Sequence, residues 1–206
     1  MRNLVYRAAL SYVKEFGFSV IPVSTTGNKK PLVPWEKYQT DLPTEKELAT
    51  WFNGPSPSNI AIVTGEVSGM CAVDIDSFTP EVEAYGLRDV VTPSVITPRF
   101  GNHNYHSLPD FRVSNNQKKI AGVDFRGNGG YIVAPPSTNM DGSTYSWRIP
   151  IGTVPLAPVP EAYLALLQEE PVKELAEMFT SGRRDADLFH VANCLAKGGM
   201  PMAECM

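Results

Sequence analysis

The sequence predicts an α+β fold: a mainly antiparallel sheet core with flanking helices, followed by a small helical module. Short apolar runs bounded by glycine, proline and polar residues recur between Phe18 and Trp147, as strands and their turns require. Helical periodicity with cap signals is confined to brief segments before and between these runs. After Trp147 the texture changes, with Pro150, Pro155, Pro158 and Pro160 crowding one stretch before helical periodicity continues to the end.

Taken in order, residues 4 to 16 place Leu4, Ala8, Tyr12 and Phe16 on one stripe of a helix, and FSVIPV (18 to 23) reads as a buried strand. Residues 24 to 43 hold Gly27, Pro31, Pro34 and Pro43 around Lys29 and Lys30, too many breakers for regular structure. Thr44 and Glu47 form a capping box ahead of a short helix with Leu48, Trp51 and Phe52 on its apolar face. NIAIVTG and MCAVDID are apolar runs separated by residues 66 to 69, which reads as a tight reversal between two paired strands. Thr79 and Pro80 supply a cap and a first-turn proline for a helix through about Arg88. Strands follow at about 93–97, 102–107, 120–125 and 130–134, with Tyr145 and Trp147 on a last one.

These elements divide the chain into a core at 1–148, a proline-rich linker at 149–160 and a helical module at 161–206. A further helix starts where the chain stops, at MPMAECM, so the sequence reads as a piece of a longer protein. No run reaches the roughly 18 apolar residues of a membrane helix, and the amphipathic start does not resemble a signal peptide. The reading is a cytoplasmic protein without a membrane partner. Cys71, Cys194 and Cys205 are odd in number and far apart, which excludes a disulfide framework and a zinc-finger site. The net charge of -4 argues against a wholly basic nucleic-acid footprint. Between Pro98 and Arg126, however, Arg99, Arg112, Lys118, Lys119 and Arg126 outnumber Asp110 and Asp124, which leaves room for a local cationic surface.

The chemistry-bearing residues sit at strand ends. Asp74 and Asp76 alternate with Ile75, so a strand puts both carboxylates on one side and Ile75 on the other. Oxygen ligands of this kind suit Mg²⁺ or Mn²⁺, and a second ion needs a further carboxylate close by. Asp124, between Val123 and Phe125, is the candidate for that role on a neighbouring strand. Such a group of like charges is costly unless cations neutralise it. Between the two segments lies TPRFGNHNYH, where Arg99 and His103 are placed to hold phosphate, with Tyr105 on the same strand face and His106 on the other.

The ordered set GFSVIPV, the Lys-Lys-Pro and Trp35 segment, NIAIVTG, SGMCAVDID, TPRFGNHNYH and GVDFRGNGGYIVAPPS resembles the bifunctional primase-polymerase branch of the archaeo-eukaryotic primase superfamily. The resemblance covers about residues 17 to 147. It implies an RRM-like catalytic sheet and a template-dependent nucleotidyltransferase, a DNA primase or DNA polymerase, of plasmid, phage or mobile-element replication. Asp74, Asp76 and Asp124 would be catalytic and bind two Mg²⁺ or Mn²⁺ ions, with His103 on the nucleotide phosphates. Arg99, Arg126, Lys30 and Ser137 are further candidates for binding the nucleotide. The implied partners are a single-stranded DNA template, a primer or initiating nucleotide, dNTP or NTP, and a helicase domain or partner beyond the C-terminus. Arg183 and Arg184 are candidates for gripping template or initiating nucleotide. Phe100 departs from the family, standing where a second glycine often precedes the histidine motif. The same carboxylates also fit a metal-dependent nuclease or phosphohydrolase, and a non-catalytic single-strand-binding module is a third reading.

Overall fold

In the computed structural model, which describes residues 2–113, 115 and 117–168, helix α1 (Arg2–Lys14) leads into strand β1 (Val20–Val23). A single 3-10 turn, Glu36–Gln39, interrupts the long breaker-rich loop that follows. Helix α2 (Glu45–Phe52) starts at the expected capping box, with the Thr44 side chain accepting from the Glu47 N–H and the Glu47 side chain accepting from the Thr44 N–H. Then come β2 (Asn59–Thr64), β3 (Met70–Ile75), the short α3 (Pro80–Ala84), β4 (Ser94–Ile96), β5 (Asn102–Ser107), β6 (Gln117–Ile120), β7 (Val123–Arg126), β8 (Gly130–Ala134), β9 (Ser146–Ile149) and α4 (Glu161–Gln168). The fold is α+β, with every strand pairing antiparallel. Arg183, Arg184 and the rest of the expected helical module beyond Gln168 lie outside the described residues.

The strands make two sheets, ordered β1-β2-β8 and β6-β7-β3-β5-β4-β9. This corrects the expected hairpin between NIAIVTG and MCAVDID: β2 and β3 share one bridge, Gly65 with Met70, and then diverge into different sheets. The physical reason is burial. All six residues of each strand are buried, so each strand is interior to its own sheet, with both edges taken by other partners. The segment expected as one strand at 120–125 is instead a β6–β7 hairpin, turning at Gly122 with φ +73.

Strand alternation sorts the side chains of β3 between two cores. Met70 and Ala72 join a cluster with Tyr105 of β5, the first sheet, Ala9 and Tyr12 of α1, and Leu48 and Phe52 of α2. Cys71, Val73 and Ile75 face the opposite way, into a cluster with Val123 and Phe125 of β7, Val82 and Leu87 near α3, and Tyr163 and Leu167 of α4. Within the proline-rich stretch, Ala157 bridges to His106, and the buried Val159 belongs to this second cluster. Asp74 therefore continues the face of β3 that looks toward the first sheet. No helix among the described residues is long and apolar enough to cross a membrane.

Ser137 shows how the first sheet is pinned beyond its ladder. Its fully buried hydroxyl accepts from the Ile60 N–H at 3.0 Å and donates to the Ile60 carbonyl at 3.2 Å. Ser137→Ala leaves both buried backbone groups short of a partner, and urea unfolding is expected to show a loss of roughly 1–3 kcal/mol. An unchanged unfolding midpoint would mean that water replaces the hydroxyl.

Candidate active site

The register of the second sheet brings three of the expected residues, Asp74, Asp124 and His103, together. Asp74 on β3 stands directly opposite Asp124 on β7 and directly opposite His103 on β5. Residues directly opposite on antiparallel strands point to the same side, so the three side chains share one face, with Arg126 two residues along from Asp124. Asp76 lies just past the end of β3, exposed, with its N–H donating to the Gly122 carbonyl at 2.8 Å. Gly101 lets the β4–β5 loop approach this strand end, because a Cβ there would collide with the Ile75 carbonyl oxygen and lie 3.2 Å from the Asp76 Cα.

Asp74 is buried, at 7% exposure, and burial raises its carboxyl above the usual range. The positive charges of Lys29, Arg126 and Arg99 pull it back down, while Asp124 pushes it up. The Arg126 guanidinium lies 3.0 Å from Asp124 and 3.9 Å from Asp74, and so supplies the cation that two facing carboxylates require. His103 is held from the other side: its Nδ1 sits 3.0 Å from the Val133 carbonyl of β8, which can only accept, so Nδ1 carries the proton. Burial, reinforced by the Lys29 charge, pushes this imidazole down to about 3, and the ring is neutral at ordinary pH. Its Nε2 lone pair then faces the Asp74 carboxylate at 3.4 Å, with no hydrogen-bond partner among the described residues. The Tyr145 ring lies tilted against this imidazole at 5.7 Å between centroids.

Asp74, His103 and Arg126 line a cavity of about 200 Å³ together with Asn28, Lys29, Tyr131, Ile132 and Val133. Lys29 is a residue the sequence reading passed over in favour of its neighbour. Lys30 is exposed and outside this lining, whereas Lys29 faces the cavity with its carbonyl held by the Tyr131 hydroxyl at 3.1 Å. The reversal depends on a positive φ of 57° at Lys29, which no periodicity announces. Arg99 is exposed on the β4–β5 loop, and its charge is felt at both Asp74 and Tyr145. Ser137 is not among the cavity-lining residues, its hydroxyl being committed to Ile60. His106 points to the opposite face, where its Nδ1 meets the Ala157 and Pro158 carbonyls.

Among the described residues, no group of three or more His, Cys, Asp and Glu side chains is drawn together closely enough to hold a metal ion. The donor chemistry nevertheless suits hard divalent cations. Asp74 and Asp124 are oxygen ligands on facing positions of paired strands, Asp76 follows at the strand end, and the counter-charge over the first two is at present a side chain of the same protein.

The chain matches the family described as bifunctional DNA primase/polymerase, N-terminal, over residues 9–162. No curated protein matches it.

Asp74→Asn replaces a carboxylate that repels Asp124 with an amide able to donate to His103 Nε2. In metal-free buffer at neutral pH the variant is expected to be more stable than the native chain by about 1 kcal/mol or more in urea unfolding. Because the folded state holds the Asp74 proton above the carboxyl's ordinary value of 3.8, the native carboxyl becomes neutral as pH falls, and the advantage of the variant shrinks. A variant less stable at neutral pH, or an advantage that grows on acidification, contradicts this account of the site.

Proposed function

We propose that this chain, which belongs to the bifunctional DNA primase/polymerase family, is a template-dependent nucleotidyltransferase that uses the Asp74, Asp76 and Asp124 carboxylates to hold two Mg²⁺ or Mn²⁺ ions. The observation that carries the reading is the register that sets Asp74 opposite both Asp124 and His103 on one face of the sheet. Ions of this kind, when bound, supply Lewis-acid activation of a 3'-hydroxyl and neutralise charge on the triphosphate and the departing pyrophosphate.

The protein's own groups do the rest. Lys29 and Arg126 line the same cavity as Asp74 and are the cations that bind the triphosphate of an incoming nucleotide. Arg126 has a second task in the free protein, holding the two facing carboxylates at tolerable cost; transfer of its guanidinium to phosphate accompanies nucleotide binding. Arg99 and Lys30, both exposed, add to the cationic approach to the site. His103, with Nδ1–H fixed on Val133, presents Nε2 on the Asp74 side. To donate to a phosphate it must take a second proton, which burial opposes and the negative charge of a triphosphate favours. The Val133 contact keeps the ring aimed in either state. The DNA template, the primer or initiating nucleotide, and dNTP or NTP are the substrates this assignment implies, with Arg183 and Arg184 kept as candidates for template contact and a helicase domain as a further partner.

Extension of a labelled primer on a single-stranded template, with Mg²⁺ or Mn²⁺ and with dNTPs and NTPs supplied separately, tests this reading. The native chain is expected to extend the primer, and Asp124→Ala to lower the rate by at least about 100-fold. Metal-dependent release of mononucleotides without extension would assign the same carboxylates to hydrolysis instead.

A further inference from the structure

We infer that Phe100 is a stacking platform for an unpaired base of the nucleic-acid strand that approaches the carboxylate face. The inference rests on the functional reading above only for the identity of that strand as single-stranded nucleic acid.

Phe100 is 84% exposed, the highest exposure of any large apolar side chain among the described residues. It also holds a φ of +62°, in the left-handed region that a bulky residue avoids. Neither property is explained by folding. The ring gains no burial, and a glycine here would occupy the same backbone geometry without strain. Strained, exposed side chains that the surrounding structure holds in place occur most often where a ligand is met.

The surrounding structure does hold it. Thr97 to Gly101 closes the β4–β5 hairpin: the Phe100 N–H donates to the Thr97 carbonyl at 2.9 Å, the Gly101 N–H to the Thr97 hydroxyl at 3.0 Å, and the Thr97 N–H to the Gly101 carbonyl at 2.9 Å. Gly101 in turn rests against the backbone of Ile75 and Asp76, so the loop tip is fixed beside the end of the strand that carries Asp74. The adjacent Arg99 is exposed and its charge reaches Asp74. On the chain leaving Asp76, Phe78 is 41% exposed, with the Arg88 guanidinium 6.0 Å from its ring centroid. An exposed ring on a turn held by its own hydrogen bonds, with Arg99 next to it in the chain and a second exposed ring, paired with Arg88, close in sequence to Asp76, is the composition with which proteins bind unpaired bases by stacking, without reading sequence.

The test uses the full chain and a fluorescein-labelled single-stranded DNA oligonucleotide, without metal or nucleotide, and compares native protein with Phe100→Gly and Phe100→Trp by anisotropy and thermal melting. Phe100→Gly is expected to weaken binding between roughly fivefold and a hundredfold while melting at the same temperature or higher, and Phe100→Trp to bind as the native chain does. Equal affinity of Phe100→Gly and native protein overturns the inference. So does a loss shared by Phe100→Trp, which would indicate a packing role. Primer extension separates the two readings. A native chain that does not extend primers but loses oligonucleotide binding in Phe100→Gly retains the platform and loses the enzyme assignment. One that extends primers and binds equally well without the ring keeps the enzyme and loses the platform.

Discussion

Two aspartates facing each other across paired strands, one of them buried, form the constraint on which the rest of the site depends. Asp74 and Asp124 are held opposite each other by the β3–β7 ladder, and a buried carboxylate beside a second one is unfavourable unless positive charge comes near. The protein answers with Arg126 from the same strand as Asp124, with Lys29 from the loop after β1, and with the field of Arg99 from the β4–β5 loop. These cations come from three separate places in the chain.

The fold makes this affordable by separating the two faces of β3. Its odd-numbered residues, Cys71, Val73 and Ile75, fill a core with β7, α3 and α4, while Met70 and Ala72 fill another with the first sheet. Asp74 occupies the last position of the second series, where packing gives way to a cavity. His103 is fixed by reaching across to Val133 of the other sheet, so the β3–β5 ladder and the packing of the two sheets jointly set the geometry around Asp74.

Much of this was legible in the sequence. The alternation around Asp74, Asp124 and His103 placed each on a strand of its own, whereas Asp76, expected on the same strand face as Asp74, falls just past the end of β3 and is exposed. The capping box at Thr44 and Glu47 was equally direct, because its signal is local. What the sequence could not yield was which of the fully apolar runs pair with each other. Apolar runs such as NIAIVTG and MCAVDID carry no alternation to identify an exposed face, so a short turn between them looks the same whether the strands pair or part. The sequence singles out Lys30, whereas Lys29 lines the cavity, for a related reason: which of two adjacent lysines faces it is set by a left-handed backbone turn within a loop. Ser137, one of the candidates for nucleotide contact, has its hydroxyl on the backbone of Ile60, a partner far away in sequence that no local pattern announces.

The central claim is that the facing carboxylates of β3 and β7 are a divalent-cation site whose charge Arg126 balances in the free protein. Titration of the native chain and of Asp74→Ala with Mn²⁺, following the free ion by electron paramagnetic resonance, tests it most directly. Saturable binding to the native chain is expected, with affinity lower by at least about tenfold in the variant. Undiminished binding to Asp74→Ala would contradict it.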